Sequence, residues 1–133
     1  MPLRPRTLFI SDLHLAEERP ATTDRFERFL ARAVPGADAL YILGDLFEYW
    51  VGDDGLDLEF PARIAAMLRP AARTVPTWFM HGNRDFMVAS RFCAETGLRL
   101  IPDPTVVDLY GERALLMHGD TLARMLHLSM GFL

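Results

Sequence analysis

The sequence predicts an α/β fold, in which a sheet of short strands is covered by helices. Short apolar runs alternate with amphipathic stretches along the 133 residues, and half of the residues are hydrophobic, enough to bury a core. Such an alternation of strand-like and helix-like segments is typical of helices packed on a sheet. The length and the absence of a repeat or linker predict one domain.

The first strand is predicted over Thr7 to Ser11, a β-rich run that ends at a polar segment. A helix is expected from about Thr23, because apolar residues then recur at helical spacing. Asp24 and Glu27 have the spacing of a capping box, in which two side chains satisfy the free amide groups of the first turn. Pro35-Gly36 predicts the end of this helix.

The middle of the chain is predicted to hold two more strands and one helix. Ala39 to Leu43 is the second strand, and a polar loop around Gly52 to Gly55 follows it. The second helix is expected from Pro61, a favoured residue of the first turn, to Arg69, with Pro70 ending it. Thr77 to Met80 is the third strand.

The last predicted elements are a helix and a β-hairpin. The helix is expected from about Phe86 to Gly97, because glycine is a common residue at a helix C-terminus. Two strands, Thr105 to Leu109 and Arg113 to Met117, then flank the turn at Tyr110-Gly111-Glu112, as in a hairpin.

Composition excludes several classes of function. The net charge is −4 and the isoelectric point is about 5.5, so the chain lacks the basic surface of a general nucleic-acid binder. Cys93 is the single cysteine, which excludes an internal disulfide and fits a reducing cytoplasm. The apolar run at Leu8 to Ile10 is too short for a secretory signal, and no stretch has the length of a membrane span. We therefore expect a soluble or peripheral protein.

Four predicted strands end at residues of metal-ligand type. These residues are Asp12, His14, Asp45, Asn83 and His118. In open α/β sheets ligands bind beyond the carboxyl ends of the strands, so such residues converge in space although they are distant in sequence. Each fragment alone is weak, because Gly-Asp and Gly-Asn are common turn dipeptides and a lone histidine is more often an ordinary hydrogen-bonding residue. Their recurrence in one structural context favours a metal site.

The residue types indicate which ions would bind. Carboxylate and amide oxygens are hard ligands and imidazole suits first-row transition metals, so the mixed set favours Mn²⁺, Fe²⁺ or Zn²⁺ over Ca²⁺. A carboxylate can bridge two ions, and Asp45 is the natural candidate. Two ions roughly 3.5–4 Å apart can activate water and clamp a phosphoryl group during in-line displacement.

These motifs carry a resemblance to known proteins. Asp12-x-His14, Gly44-Asp45, Gly82-Asn83 and His118-Gly119 resemble the ordered blocks of calcineurin-like metallophosphoesterases. The longer stretches 11–15, 44–54, 81–86 and 116–122 resemble those of the UDP-2,3-diacylglucosamine pyrophosphatases of lipid A synthesis, and the match runs from about residue 8 to residue 122. The resemblance implies a β-sandwich flanked by helices, of which this chain holds a truncated form.

The resemblance also implies roles for individual residues. Asp12 and His14 would bind a first divalent ion, with Mn²⁺ the expected metal. Asp45 would bridge to a second ion, which Asn83 and His118 would bind. The family reaction hydrolyses UDP-2,3-diacylglucosamine to UMP and 2,3-diacylglucosamine 1-phosphate. It takes place at the cytoplasmic face of the inner membrane, with peripheral membrane contact and no nucleic-acid partner.

Arg84 departs from the pattern of the wider superfamily. By the resemblance, Asn83 and Arg84 touch the phosphates of the substrate, whereas many relatives have histidine in place of this arginine. Arginine stays protonated and cannot give a proton to a leaving group, but it can grip phosphate with two parallel hydrogen bonds. A phosphate leaving group needs little protonation, since its second pKa is near 6. Arg84 therefore favours cleavage of a pyrophosphate over that of a simple phosphodiester; the alternative is a surface arginine in a turn.

The aromatic residues after Asp45 have two interpretations. Phe47, Tyr49 and Trp50 could line the substrate site, or they could pack in the core or a loop. Packing is the interpretation that we favour.

The chain also departs from full-length relatives of the family. They are nearly twice as long and carry a late Gly-His-x-His segment and a helical insertion that contacts the acyl chains, whereas no His-x-His occurs here. Residues 1–122 are interpreted as the N-terminal part of the domain and residues 123–133 as an atypical apolar tail. We expect little turnover from this chain by itself. The open alternatives are another metallophosphoesterase (a phosphodiesterase or phosphatase), a binding module on the same fold, and an inactive fragment.

Overall fold

The computed structural model describes residues 5–48, 58–81 and 90–117, which form a parallel sheet with helices on one face and a β-hairpin on the other. The elements of this part of the chain are β1 (Thr7–Ile10), α1 (Pro20–Arg32), β2 (Ala39–Leu43), α2 (Glu59–Thr74), β3 (Thr77–Met80), α3 (Ser90–Thr96), β4 (Arg99–Leu100), β5 (Thr105–Leu109) and β6 (Glu112–Leu116). No helix within the described ranges is long and apolar enough to cross a membrane.

The parallel strands lie in the order β1-β2-β3-β4, which is also their order along the chain. A helix joins each strand to the next. Connections between parallel strands are almost always right-handed. Because the strand order advances in a single direction, connections of one hand place α1, α2 and α3 on the same face of the sheet. The opposite face is left for the antiparallel hairpin of β5 and β6.

Alternate strand residues supply the core beneath the helices. The strands contribute Leu8, Leu40, Ile42 and Phe79. The helices cover them with Phe26, Leu30, Ile64, Leu68 and Phe92. Side chains of a strand alternate between its two faces, so this set takes every second residue. The pattern confirms the predicted α/β class.

The other face of the sheet carries a row of aromatic residues that are paired on adjacent strands. Phe9 stacks on Tyr41 with ring centroids 5.2 Å apart, and Tyr41 stacks on Trp78 at 6.1 Å. The Arg99 guanidinium continues the row, 5.0 Å from the centroid of the Trp78 ring. Leu116 of the hairpin packs into this second core, so the hairpin begins a second layer of strands.

The predicted hairpin is confirmed, and its turn is tied to the start of the sheet. Tyr110 and Gly111 have φ values of 56° and 92°, the left-handed conformation of a tight hairpin turn. The Tyr110 hydroxyl donates a hydrogen bond to Asp38 Oδ2 at 2.8 Å and lies 2.7 Å from Thr7 Oγ1. This contact joins the hairpin to β1 across about a hundred residues of sequence.

The predicted start of the first helix is wrong. Helix α1 begins at Pro20 with Arg19 as its N-cap, and no side chain caps it. Asp24 therefore lies inside the helix, and the capping box that we inferred with Glu27 is not formed at the N-terminus. Pro20 explains the earlier start, because its fixed φ suits the first helical position and its missing N–H costs nothing there.

The predicted end of the second helix is also wrong, and one strand was missed. Helix α2 continues through Pro70 to Thr74. Leu68 and Ala71 are buried on either side of the proline, so burial of the apolar face outweighs the lost backbone hydrogen bond. Strand β4 has only two residues, too few to show a periodic pattern. The predicted start of the third helix at Phe86 lies outside the described residues.

Replacing Pro70 should therefore stabilise the protein. Pro70→Ala restores an N–H that can donate to the carbonyl of Ala66, and we expect the free energy of unfolding to rise by about 1–3 kcal/mol. Urea denaturation followed by circular dichroism measures the change. Pro20→Ala is the matched control and should give no gain, because the first helical position has no such bond to restore. A lower stability of Pro70→Ala would contradict the prediction.

Candidate metal centre

The candidate site lies where β1 and β2 end, on two segments that we call the ligand loops, residues 11–15 and 44–48. The loops continue the parallel pairing of the two strands through backbone hydrogen bonds. These run from Asp12 N to Gly44 O (3.2 Å), His14 N to Asp45 O (2.9 Å), Leu15 N to Leu46 O (2.8 Å) and Glu48 N to Leu15 O (2.9 Å). The pairing holds the polar side chains of both loops at one edge of the sheet.

Three residues of the ligand loops have left-handed backbone conformations. The φ values are 58° at Asp12, 49° at His14 and 52° at Asp45. Non-glycine residues seldom adopt this conformation, although aspartate and histidine tolerate it better than most. Strained backbone of this kind is concentrated at functional sites, where surrounding packing maintains it.

Buried neighbours supply that packing. Leu15, Leu46 and Phe47 are 1%, 0% and 1% exposed. Each is adjacent in sequence to a polar residue of the site, so the apolar side chains enter the core while the polar ones point to the edge. Burial of these anchors is what offsets the cost of the strained backbone.

The side chains of Asp12, His14 and Asp45 converge. Each offers one potential ligand atom, and these three atoms all lie within 4.8 Å of one another. His14 Nε2 is 3.8 Å from Asp12 Oδ1 and 3.9 Å from Asp45 Oδ2. Those separations exceed hydrogen-bond distance, but two atoms that each bind one ion at about 2.0–2.2 Å can lie up to about 4.4 Å apart. The three residues thus form a candidate metal-binding group.

Exposure differs sharply across this group. The side chain of Asp12 is 60% exposed, that of His14 25% and that of Asp45 10%. The group is therefore open to solvent on the side of Asp12 and closed on the side of Asp45. Within the described part of the chain, the side of Asp12 is therefore where a ligand from solution can approach these three residues.

Comparison with known proteins identifies the family. The sequence model of the calcineurin-like phosphoesterases matches residues 5–130. The chain belongs to the calcineurin-like phosphoesterase family. Chemistry in this family depends on divalent metal ions, and the donor set of Asp12, His14 and Asp45 fits such ions.

The curated relatives of the chain include hydrolases that share one name. The chain is 54% identical over 121 residues to the UDP-2,3-diacylglucosamine hydrolase of Coxiella burnetii, covering 91% of this chain and 49% of that protein. It is 56% identical over 116 residues to the hydrolase of that name from Xanthomonas campestris, covering 87% and 47%. The chain spans about half the length of the curated relatives it matches.

Solved structures agree on the calcineurin-like phosphoesterase fold. The phosphoesterase Yfce of E. coli superposes with a TM-score of 0.52 at 26% identity, covering 86% of this chain and 58% of that one. The nuclease MPE of Pseudomonas putida superposes with a TM-score of 0.56 at 21% identity, covering 77% and 50%. The second likeness shows the fold alone.

The structure describes three of the six sequence-predicted site residues. Asp12, His14 and Asp45 come together as expected, and their assignment as ligands remains a prediction. The other predicted site residues, Asn83, Arg84 and His118, lie outside the described residues. Of the aromatic residues, Phe47 packs in the core edge-on against Phe92, with centroids 5.6 Å apart, which confirms the packing interpretation for Phe47. Tyr49 and Trp50 also lie outside the described ranges.

Sequence reasoning missed one residue of this calcineurin-like site. Glu48 Oε2 lies 3.7 Å from His14 Nδ1 and 3.6 Å from an Arg19 guanidinium nitrogen. In the sequence, Glu48 stands out only as a carboxylate three residues after Asp45. That spacing does not place Glu48 beside His14 until the pairing of the ligand loops is known. The isolated bridge between Leu15 and Phe47 brings Glu48 beside His14.

Proposed function

We propose that this chain is the N-terminal, metal-binding part of an enzyme that hydrolyses the pyrophosphate bond of UDP-2,3-diacylglucosamine, releasing UMP and 2,3-diacylglucosamine 1-phosphate. The observation that carries the proposal is the 53–56% identity to hydrolases of that name across about nine tenths of the chain. Arg84 supports it, because a permanent cation suits a phosphate leaving group.

The proposed enzyme uses two divalent ions, with Mn²⁺ the expected metal. Asp12, His14 and Asp45 would hold the first ion, and Asp45, Asn83 and His118 would hold the second. The mixed oxygen and nitrogen donors support a first-row transition metal. When bound, such ions provide an activated water nucleophile at neutral pH and stabilise the charge of the phosphoryl group.

The residues of the chain would orient the substrate and hold its diphosphate. The exposed side of the site, at Asp12, is the route by which the diphosphate enters. Among the described residues, the Asp45 carboxylate and the apolar residues next to it are buried, so the site faces the core on that side. Arg84 and Asn83 grip the diphosphate, and Arg84 stabilises the leaving phosphate as its bond to phosphorus breaks.

The substrate also implies a location. UDP-2,3-diacylglucosamine carries two acyl chains, which partition into a lipid bilayer. We therefore propose peripheral contact with the cytoplasmic face of the inner membrane. The net charge of −4 supports the separate proposal that the protein has no nucleic-acid partner. The single cysteine is buried and forms no disulfide, which is compatible with a reducing compartment.

The test is UMP release from UDP-2,3-diacylglucosamine with Mn²⁺, by this chain completed to the length of its relatives. Arg84→Ala should lower kcat about 100-fold while metal content is unchanged, because one charged donor to the phosphate is lost. Arg84→Lys should recover only part of the rate, since a point charge cannot replace the planar fork.

Arg73→Ala is the control for the Arg84 variants, because Arg73 is an exposed residue of the last turn of α2. It should leave the rate unchanged. A completed protein that cleaves simple phosphodiesters but releases no UMP would overturn the proposed substrate. Full activity in Arg84→Ala would contradict the proposed role of Arg84 in binding phosphate.

A further inference from the structure

One ring nitrogen of His14 is buried with no hydrogen-bond partner among the described residues. This atom is Nδ1. The other nitrogen, Nε2, faces the carboxylates of Asp12 and Asp45 at 3.8 and 3.9 Å. A buried polar nitrogen without a partner is costly, so its environment should offer one within a small movement. The carboxylate of Glu48, 3.7 Å from Nδ1, is placed to do so.

The position of Glu48 is fixed by its surroundings. Its backbone N–H donates to Leu15 O at 2.9 Å, which locks it to the loop that carries His14. The preceding residue, Phe47, is anchored in the core. The side chain of Glu48 is only 13% exposed. A guanidinium nitrogen of Arg19, the N-cap residue of α1, lies 3.6 Å from Glu48 Oε2. Glu48 therefore sits against the imidazole rather than extending into solvent.

We propose that Glu48 is a positioning residue for His14, its carboxylate accepting a hydrogen bond from Nδ1–H. A neutral imidazole carries one proton, and the hydrogen bond made by one nitrogen determines which nitrogen is free to bind a metal. With the proton held on Nδ1 by Glu48, Nε2 presents its lone pair toward Asp12 and Asp45. N–H···O bonds span roughly 2.7–3.2 Å, so a movement of about 1 Å or less closes the gap.

This inference rests on the proposed role of His14 as a metal ligand. It adds Glu48, a residue that has no part in the proposed function. Partners of this kind orient metal-binding histidines, and their loss typically lowers metal affinity by about 10–100-fold. Arg19 has a lesser part. It is 51% exposed, so its attraction for Glu48 is screened by solvent, and its removal should change affinity much less than removal of Glu48.

The first test is calorimetric titration of the 133-residue chain with Mn²⁺. Glu48→Ala should bind Mn²⁺ at least about 10-fold more weakly than the wild type. Glu48→Gln should retain most of the affinity, because the amide oxygen can accept the same hydrogen bond. Glu95→Ala is the matched control: Glu95 also lies near an arginine, 3.8 Å from Arg69, but belongs to α3 and should leave the affinity unchanged.

The second test reads the tautomer directly, in the metal-free protein, by ¹⁵N NMR of the histidine rings at about pH 8, where free imidazole is neutral. The chain has four histidines, and the spectrum of His14→Ala identifies the signals of His14. We expect the proton on Nδ1 in the wild type and in Glu48→Gln, and a mixture of tautomers in Glu48→Ala. Circular dichroism checks that each variant is folded.

The outcomes separate this inference from the proposed function. If His14→Ala binds Mn²⁺ as tightly as the wild type does, the proposed assignment of His14 as a metal ligand is wrong. If His14→Ala loses affinity but Glu48→Ala does not, only the role of Glu48 is overturned. Should Glu48→Ala fail to fold, the wild-type spectrum still decides, because a proton on Nε2 rather than Nδ1 would overturn the inference.

Discussion

In the protein completed to the length of its relatives, Asp45→Ala should abolish UMP release. The same substitution should also lower the metal content. Asp45 is the most buried of the three converging residues and the proposed bridge, so its loss should disturb both proposed ions. A loss of about 4 kcal/mol of transition-state stabilisation corresponds to a decrease of about a thousand-fold in rate. His14→Ala should disturb mainly one ion and leave more metal bound.

Metal analysis after gel filtration, together with UMP release, measures both effects of Asp45→Ala. Asp24→Ala serves as the control, since Asp24 lies exposed on α1 away from the site. It should keep both metal and rate. Near-normal turnover in Asp45→Ala would refute the assignment of this carboxylate as a bridging ligand.

Phe47→Ala should destabilise the protein by about 3–5 kcal/mol, the usual cost of removing a buried phenylalanine side chain. Phe47 is 1% exposed and packs edge-on against Phe92, so truncation leaves a cavity between the ligand loop and α3. Domains are commonly stable by only about 5–15 kcal/mol, so this one change removes a large share. We also expect weaker Mn²⁺ binding, because Phe47 anchors the loop that carries Asp45 and Glu48.

Urea unfolding measures the stability of Phe47→Ala, and calorimetry measures its Mn²⁺ affinity. Leu100→Ala is the control, since Leu100 is 48% exposed on the two-residue strand β4 and should cost little. If Phe47→Ala were as stable as Leu100→Ala, Phe47 would not be the core anchor that the structure indicates.

The strands that precede the candidate ligands were predictable because each is a short apolar run followed by polar residues. Ala39–Leu43 and Thr77–Met80 match the predicted bounds, and β1 is one residue shorter than predicted. One error lies where a local rule met tertiary packing. Pro70 is a helix breaker by local rules, yet burial of Leu68 and Ala71 carries α2 past it.

The sequence by itself determined the α/β class, the succession of strands along the chain and the chemical types of the residues that follow them. Asp12, His14 and Asp45 could be singled out because their residue types suit a transition metal and each follows an apolar run. Tertiary structure alone decided that their ligand atoms meet, that their backbones are left-handed and that Glu48 lies against His14. The physical reason is that these contacts depend on the parallel register of β1 and β2, which pairs residues about thirty positions apart. The apolar pattern of each strand decides which side chains face the core, but which residues of the two strands pair is seen only in the assembled sheet.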